Sequence, residues 1–384
     1  MRKKTARNKN NRKNNKKKKD RKPIKSKSQY SNFVAEAGPG CFIAHYNRES
    51  EKLPDWMIGW EDIDPEEYGQ CEVPDIGLDP EDFSISICNV HDYAKVAYVT
   101  IFETKLIGRN GLELEQGFTV DDTGQTIPCI TFIVFCPPCV FAHLGFLKVS
   151  SEEDLLTVRI ENDVSKWNQH PNPSDEHPFR IGFPLNCNSP TTGDHRLSFL
   201  CTQGEAGELT HFFSGNLHAI DFRCPIGTEL LAVADGIITE AKDENTVTGI
   251  SVTNLFKWNS IMLQIQNFDA DSDDDKDNVG GDGPLFVEYV HISKSIVKAG
   301  ERVKRGQVIG YSGSVGFSPE PHLHFSAFRS SDATAPTVRV LFENCTNREL
   351  PPFIPRAGKC YDSSGIVDDQ QCLTNDSVNE TGIQ

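Results

Sequence analysis

The sequence predicts a mostly β protein, in which a disordered basic arm precedes a β-sandwich-like domain and a second, antiparallel β domain. Three observations lead to this fold class. Short runs such as "KVAYVTIFE" and "LLTVRIEN" are rich in β-branched and aromatic residues, and turn signals such as "GRNG" and "DDTGQ" separate them. No long segment repeats its apolar residues with the period of a helix. The 384 residues suffice for two domains, each with its own core.

Residues 1–29 form the basic arm, which we expect to be disordered. It is rich in Lys and Arg, contains Asp20 as its acidic residue and has no apolar periodicity with which to build a core. Because the whole chain has a formal charge of −16, the remainder is strongly acidic. The arm is therefore the part suited to nucleic acid or another anionic surface. A solubilising tail is the alternative interpretation.

The rest of the chain divides by composition. Residues 30–82 are rich in Pro, Gly and acidic residues and predict an irregular lead-in. Residues 83–167 consist of short β-like runs and predict a β-sandwich-like accessory domain of unknown role. Residues 168–178 are a predicted linker, and residues 180–335 are again strand and turn. From residue 345 to residue 384 the sequence is Pro-rich and then polar, which predicts a flexible tail.

Two features of the sequence bear on where the protein is located, and they point in opposite directions. Twelve cysteines and three sequons, at Asn344, Asn375 and Asn379, favour an extracellular or secreted protein. No signal peptide is visible at the N-terminus, which argues the other way.

The most apolar run, "PCITFIVFCPPCVFAHLGF", is about long enough to span a membrane. Pro137 and Pro138 interrupt its centre, so it predicts two buried strands that meet at a turn, with no transmembrane segment. The Cys136–Cys139 pair lies in this β-like run rather than at a strand-to-helix turn, which argues against a redox role.

Two histidines in "PHLHFSAF" provide the first candidate site residues. His322 and His324 are two positions apart in a strand, so their side chains share one face about 7 Å apart. His291 closes the alternating strand "LFVEYVHIS". Asp221 lies within an apolar strand, where a carboxylate is rarely buried unless it is paired or binds a metal.

A turn at "SGN" predicts that the chain around Asp221 folds back on itself as a hairpin. With the turn centred near Gly215, His211 lies opposite Ala219 and diagonal to Asp221, whereas His218 points to the opposite face. Geometry therefore favours His211 as the metal partner of Asp221. A shift of one residue in the turn would favour His218 instead.

Two histidines and a carboxylate suit a catalytic Zn²⁺ that keeps its fourth position for water. We expect His211, Asp221 and His324 to bind the metal. His291 and His322 are then available as a base and as a donor to the oxyanion.

These residues lie in segments that resemble a known family. "AIDFRCPIGTELLAVADGIITEA", "NSIMLQI", "EYVHISKSIVKAGERVKRGQVIGYSGSVG" and "PHLHF" resemble, in that order, the core of the M23 zinc metallopeptidases, the lysostaphin and LytM-like peptidoglycan endopeptidases. The resemblance covers about residues 180–330. It implies a mostly antiparallel β fold with a groove over the zinc, and cleavage of peptide cross-links in bacterial cell walls, often at glycine-containing bonds.

By position, the resemblance implies that Asp221 and His324 are zinc ligands and that His291 and His322 are the catalytic histidines. The family usually has its first ligand four residues before the aspartate, where this chain has Leu217. A subset has a Ser/Thr-His pair further upstream, which "Thr-His" at His211 resembles. His218 stays open as the alternative first ligand.

Three functions are compatible with these features to different degrees. A zinc metalloendopeptidase acting on peptidoglycan or another glycine-containing peptide uses all of the predicted site residues. A degenerate family member that binds its partner without hydrolysis is the alternative. The segment "VKAGERVKRGQVIGY" resembles the hairpins of biotinyl or lipoyl-type carrier domains, which is the third function. Such a carrier needs an exposed lysine in a Met-Lys-Met setting, and this sequence lacks one.

Overall fold

The computed structural model describes residues 38–46, 53–64, 66, 73–167, 179–188, 196–207, 209–211, 215–265, 284–332, 335–345 and 349–367. The predicted basic arm, the predicted linker and the sequons at Asn375 and Asn379 lie outside these ranges. All of the described residues belong to one compact unit.

The architecture is mostly β, as the sequence predicts. The first half contains strands β1 (Cys41–His45), β2 (Gly59–Asp62), β3 (Ile76–Leu78), β4 (Ser84–Asn89), β5 (Lys95–Phe102), β6 (Leu106–Ile107), β7 (Gly117–Val120), β8 (Thr126–Cys136), β9 (Val140–Leu147) and β10 (Ile160–Lys166). A short helix, α1 (Glu152–Leu155), precedes β10.

The second half contains strands β11 (Phe179–Ile181), β12 (Phe199–Gln203), β13 (Ile220–Arg223), β14 (Glu229–Leu231), β15 (Gly236–Lys242), β16 (Thr248–Gly249), β17 (Ser260–Ile265), β18 (Leu285–Val290), β19 (Lys294–Ser295), β20 (Arg302–Val303), β21 (Val308–Tyr311), β22 (His322–Phe328), β23 (Val340–Phe342), β24 (Cys360–Asp362) and β25 (Gly365–Val367). Val252–Asn254 forms a turn of 3₁₀-helix.

The first half is a sandwich of two sheets. One sheet has the order β10-β5-β8-β7-β16, with β1 added beside β8, and we call it the accessory sheet. The other has the order β2-β9-β4-β3, with β6 added beside β9. Ile87, Val99 and Phe132 belong to the core between them. All eight residues of β5 are buried, because its other face packs against the second half of the chain.

The predicted irregular lead-in contributes strands to this sandwich. β1, β2 and β3 come from residues 30–82 and pair with β8, β9 and β4 respectively. These strands are three to five residues long, so their alternation is too short to appear as a pattern in the sequence.

The apolar run with two central prolines forms β8 and β9, which belong to different sheets of the sandwich. Pro137 and Pro138 occupy the corner between them. Within the described part of the chain, no helix is long and apolar enough to cross a membrane.

The second half is built on a nine-stranded sheet with the order β20-β15-β17-β18-β22-β13-β12-β24-β25. Its main core includes Phe222, Tyr289 and Phe325 on one face of the sheet. Two small sheets, β14-β21-β19 and β11-β23, accompany it. The opposite face of the nine-stranded sheet carries the polar residues described below.

The structure corrects the prediction of a flexible tail for residues 349–367, whereas residues 368–384 lie outside the described ranges. β24 and β25 form a hairpin that extends the nine-stranded sheet beside β12. Tyr361 is buried and stacks on Phe353 at 5.5 Å between ring centroids, and Phe353 lies 5.9 Å from Phe342. These aromatic contacts fix a segment whose proline content indicated irregular structure.

Candidate active site

Three side chains converge on one point of the nine-stranded sheet. Asp221 on β13 is the direct register partner of His324 on β22. His211 lies in the connection between β12 and β13. Asp221 Oδ1 lies 2.9 Å from His324 Nδ1 and 3.2 Å from His211 Nε2. The two histidine nitrogens are also 3.2 Å apart, and all three residues are buried. They form a candidate metal site.

This triangle of donor atoms fits zinc. Tetrahedral zinc with Zn–N and Zn–O bonds of about 2.0–2.1 Å separates neighbouring donors by about 3.3–3.4 Å. The three observed separations, 2.9 Å, 3.2 Å and 3.2 Å, are close to that value. Two imidazoles and one carboxylate are also a donor set that zinc accepts with a fourth position left open.

A hydrogen bond on the far side of each imidazole orients the ring, and the carbonyl partner of His211 also fixes its tautomer. His211 Nδ1 lies 3.0 Å from the carbonyl oxygen of Gly204, to which it can only donate. His324 Nε2 lies 2.9 Å from the hydroxyl of Ser326. The lone pairs of His211 Nε2 and His324 Nδ1 are thereby available to a metal.

Gln203 connects two of the candidate ligands and was missed by the sequence argument. Its Nε2 donates to Asp221 Oδ2 at 2.7 Å. Its Oε1 accepts from the backbone N–H groups of Leu209, Thr210 and His211. A single buried glutamine therefore positions both the carboxylate and the turn that carries His211. A glutamine at this spacing matches no metal-binding sequence pattern, so the role of Gln203 becomes visible only from the pairing of β12 with β13.

That register differs from the hairpin expected at "SGN". Asp221 pairs with Gln203 across β12 and β13, and the connection between these strands runs from residue 204 to residue 219. His211 is thus part of a long connection and does not lie opposite Ala219 in a ladder. Its position near Asp221 results from Gln203 and the Gly204 carbonyl rather than from strand pairing.

His218, the alternative first ligand, takes part in a separate hydrogen-bonded group. Its Nδ1 is 3.1 Å from Glu205 Oε1, and Arg339 binds the same carboxylate at 2.7 Å. His218 is not a member of the candidate metal group.

His291 lies at the end of β18, beside the metal triangle. Its φ of 65° is unusual for a residue other than glycine and is typical of functional sites. Its Nδ1 donates to the carbonyl of Val315 at 2.7 Å, which leaves Nε2 as the basic nitrogen. Burial, reinforced by the neighbouring His322 and His324, holds the pKa of His291 well below its usual value. His291 is therefore neutral at neutral pH.

His322 faces His291 with 4.5 Å between the ring centroids. Its Nδ1 lies 2.7 Å from the carbonyl of Glu320 and 3.2 Å from the hydroxyl of Ser318. Its Nε2 is 4.0 Å from Asp221 Oδ1. His322 thus has the same arrangement as His291, with one nitrogen tied to the backbone and the other turned towards the metal triangle.

The electrostatics of the cluster favour a charged Asp221 and a neutral His324. Burial alone would raise the pKa of Asp221, but His211, His324 and His322 together hold it well below its usual value. Burial lowers the pKa of His324 despite the opposing effect of Asp221. Metal binding requires these same protonation states.

Cys136 of the Cys136–Cys139 pair is not activated as a thiolate. Cys136 is fully buried, and burial raises the pKa of its thiol to about 12. Thiolate chemistry needs a lowered pKa, so this segment acts as a structural corner of the sandwich.

Part of this site matches a known family. Residues 278–336 match peptidase family M23, and this segment includes His291, His322 and His324. The chain is 34% identical over 161 residues to glycyl-glycine endopeptidase ALE-1 of Staphylococcus capitis, which covers 42% of this chain and 35% of that protein. It is 30% identical over 143 residues to peptidoglycan DD-endopeptidase ShyC of Vibrio cholerae serotype O1, which covers 37% of this chain and 25% of that protein.

A solved structure is also similar to part of the chain. The catalytic domain of the antimicrobial peptidase lysostaphin from Staphylococcus simulans matches with 26% identity and a TM-score of 0.24, covering 42% of this chain and 88% of that one. This chain spans 35% or less of the length of the two curated relatives.

Proposed function

We propose that the chain, of which residues 278–336 match peptidase family M23, is a zinc-dependent metalloendopeptidase. The observation that supports this most strongly is the donor triangle of His211, Asp221 and His324, with two further histidines beside it. All the residue types that metal-assisted amide hydrolysis needs are thus present in one buried cluster.

The two remaining histidines supply the proton transfers. When bound, zinc would acidify a water molecule and polarise the carbonyl of the substrate. His291 is neutral because of its burial, so its Nε2 can accept a proton. His322, held by the Glu320 carbonyl, presents its own Nε2 to the same space. One histidine acts as the base, and the other donates to the oxyanion or to the leaving amine.

The proposed substrate is peptidoglycan or another glycine-containing peptide. Two relatives are a glycyl-glycine endopeptidase and a peptidoglycan DD-endopeptidase. Those activities belong to the relatives, and both are endopeptidase activities. Cleavage at a glycine-containing bond is therefore the first activity to assay.

A binding protein without hydrolytic activity is the competing function. Such a protein does not need two histidines whose Nδ1 atoms are tied to carbonyls while their Nε2 atoms stay free. The intact set of candidate ligands and proton-transfer groups supports the enzyme.

The two functions can be separated by comparing the full chain with His291→Ala. Both proteins are incubated with cross-linked peptidoglycan and with a pentaglycine peptide, and the products are identified by mass spectrometry. We expect new amino termini with the native chain and at least a hundredfold slower release with His291→Ala, at unchanged zinc content. Equal rates for the two proteins, or no products from either, would contradict the proposal.

A further inference from the structure

The two halves of the chain share a third hydrophobic cluster, distinct from the two main cores. The accessory sheet contributes Tyr98 and Ile133, among others, to this cluster. The second half contributes Leu209, Ile250 and Phe317. Leu209 lies two residues before the candidate ligand His211, and Phe317 lies between the residues that bind His291 and His322. The accessory sheet therefore packs against residues that adjoin the candidate active site in sequence.

Two buried threonines of the accessory sheet bind the backbone of residues 247–254, which we call the bridging segment. The hydroxyl of Thr131 donates to the carbonyl of Ile250 at 2.6 Å, and the hydroxyl of Thr100 accepts from the N–H of Val252 at 2.9 Å. The two hydroxyls are 2.8 Å apart. Donation from Thr100 to Thr131 completes a continuous relay, so each hydroxyl proton has an acceptor.

Strand pairing adds to this attachment. β16 of the bridging segment pairs with β7 of the accessory sheet, with Thr248 opposite Val120 and Gly249 opposite Thr119. The side-chain amide of Asn254 donates to the Thr119 hydroxyl at 2.9 Å. The bridging segment is thus an added strand of the accessory sheet, although it belongs to the second half of the sequence.

The bridging segment in turn holds residues 313–320, which we call the catalytic loop. Gly316 donates its N–H to the carbonyl of Val247 at 2.8 Å, and Ser318 donates its N–H to the carbonyl of Gly249 at 3.1 Å. Phe317, between them, packs edge-on against Tyr98 of the accessory sheet with 6.1 Å between ring centroids. The catalytic loop is therefore anchored to the accessory sheet directly and through the bridging segment.

Both candidate catalytic histidines take their orientation from the catalytic loop. Val315 and Glu320 provide the carbonyl oxygens that accept from His291 Nδ1 and His322 Nδ1, each at 2.7 Å. Asp221 and His324 are held by strands β13 and β22 of the nine-stranded sheet, and His322 begins β22, so the catalytic loop sets the ring orientation of His322 rather than its backbone position. A shift of the catalytic loop would turn the imidazole rings of His291 and His322 relative to the aspartate and histidine of the metal site.

We propose that the accessory sheet is a positioning element for the two catalytic histidines, acting through the Thr100–Thr131 relay and the Tyr98–Phe317 contact. This inference rests on the proposed hydrolytic function for its effect on turnover. The structural part, in which the accessory sheet orders the catalytic loop, is independent of any activity. Loss of the relay should lower kcat while zinc content and KM stay the same, because the metal-bearing strands remain in place.

The test compares Thr131→Val, which removes the hydroxyl, with Thr131→Ser, which keeps it. Full-length variants are assayed for kcat, KM and zinc content, and for hydrogen–deuterium exchange of the catalytic loop. We expect Thr131→Val to lower kcat about tenfold, since small displacements of catalytic groups have effects of this size or larger. We also expect faster exchange of the Gly316 and Ser318 amides. Thr131→Ser should match the native protein.

A matched control separates positioning from general destabilisation. Val99 lies on the neighbouring β5 strand but faces the interior of the sandwich. Val99→Ala should lower the melting temperature without changing kcat or exchange of the catalytic loop at temperatures well below unfolding. If Thr131→Val does not fold, Tyr98→Leu tests the same attachment against Tyr98→Phe.

The outcomes distinguish this inference from the proposed function. If the native chain hydrolyses no peptide, the proposed function fails, and the exchange measurement alone decides the inference. Unchanged exchange of residues 313–320 in both Thr131→Val and Tyr98→Leu would overturn it. So would an equal fall of kcat in Val99→Ala.

Discussion

At the scale of single residues, the candidate metal site depends on side chains that touch the ligands as well as on the ligands themselves. His324 presents Nδ1 to the metal position because its Nε2 is engaged by Ser326. Gln203 likewise orients Asp221, by donating a hydrogen bond to its Oδ2. Such partners set the tautomer and orientation of a ligand, and losing one typically weakens metal binding ten- to a hundredfold.

We therefore expect Ser326→Ala to bind zinc about ten- to a hundredfold more weakly than the native chain. Competition with a chromogenic chelator measures the affinity. Ser312→Ala is a suitable control, because Ser312 is also buried and hydrogen-bonded, to the Pro225 carbonyl, but contacts no candidate ligand. Equal zinc affinity in the native chain and in Ser326→Ala would show that the hydroxyl does not orient His324.

The position of His211, the candidate first ligand, has a different physical cause in the structure from the one that the sequence predicted. The expected hairpin brought His211 near Asp221 by a register that the structure does not have. The actual cause is Gln203, whose amide bridges the two by contacts that strand alternation does not predict. Long connections such as residues 204–219 are set by tertiary contacts rather than by a local period, so sequence patterns define them poorly.

His211→Ala and His218→Ala provide the corresponding test. We expect His211→Ala to lose stoichiometric zinc, because it removes one corner of the donor triangle. His218→Ala should keep about one zinc per chain, since His218 binds Glu205 instead. Plasma emission spectrometry after gel filtration measures the metal content. Zinc loss confined to His218→Ala would reverse the assignment.

Glu288 is a buried carboxylate that the proposed mechanism does not use. Burial raises its pKa, and hydrogen bonds from Ser260 and Trp258 only partly oppose this effect. The folded chain therefore binds a proton at Glu288 more tightly than the unfolded chain does. Stability from this group is complete below the unfolded pKa and is lost as pH rises through the folded pKa.

Glu288→Gln should consequently be more stable than the native chain at pH 7 and equally stable near pH 4. Each unit by which burial raises the pKa is worth about 1.4 kcal/mol. Urea unfolding at both pH values measures the difference. The same stability difference at pH 4 and pH 7 would contradict a raised pKa at Glu288.

At the scale of elements, the long strands could be predicted and the short ones could not. β5, β8 and β18 have six or more residues of apolar or alternating sequence, and each appears in the structure. β1 to β3 and the β24–β25 hairpin have five residues or fewer per strand. β1, β2 and β24 pair with β8, β9 and β12, which are distant in sequence, so the sequence around each strand does not predict it.

The β24–β25 hairpin gives a test at this scale. Tyr361→Ala should destabilise the chain by about 3 kcal/mol, because it removes a buried aromatic ring that stacks on Phe353. Ile366→Ala, in the same hairpin, should change stability by no more than about 0.5 kcal/mol, because its side chain is 63% exposed. Denaturant unfolding measures both variants. Similar small effects would mean that the hairpin contributes little to the fold.

At the scale of the whole molecule, both halves of the chain contribute to holding the catalytic loop beside the candidate active site. The sequence predicted a β-sandwich-like accessory domain over residues 83–167, and β4 to β10 of the sandwich lie in that range. The pairing of β7 with β16 could not be predicted, because β16 has two residues and lies more than a hundred positions downstream. The attachment of the sandwich to the catalytic loop therefore emerged only from the structure.

The central claim is that the chain is a zinc-dependent peptidase. The most direct measurement follows hydrolysis of cross-linked peptidoglycan and of pentaglycine by the full chain, first native, then after removal of metal by a chelator, and then after addition of zinc. We expect cleavage to stop when the metal is removed and to return when about one zinc per chain is bound. Cleavage that persists in the metal-free chain, or a zinc-loaded chain that cleaves neither substrate, would contradict it.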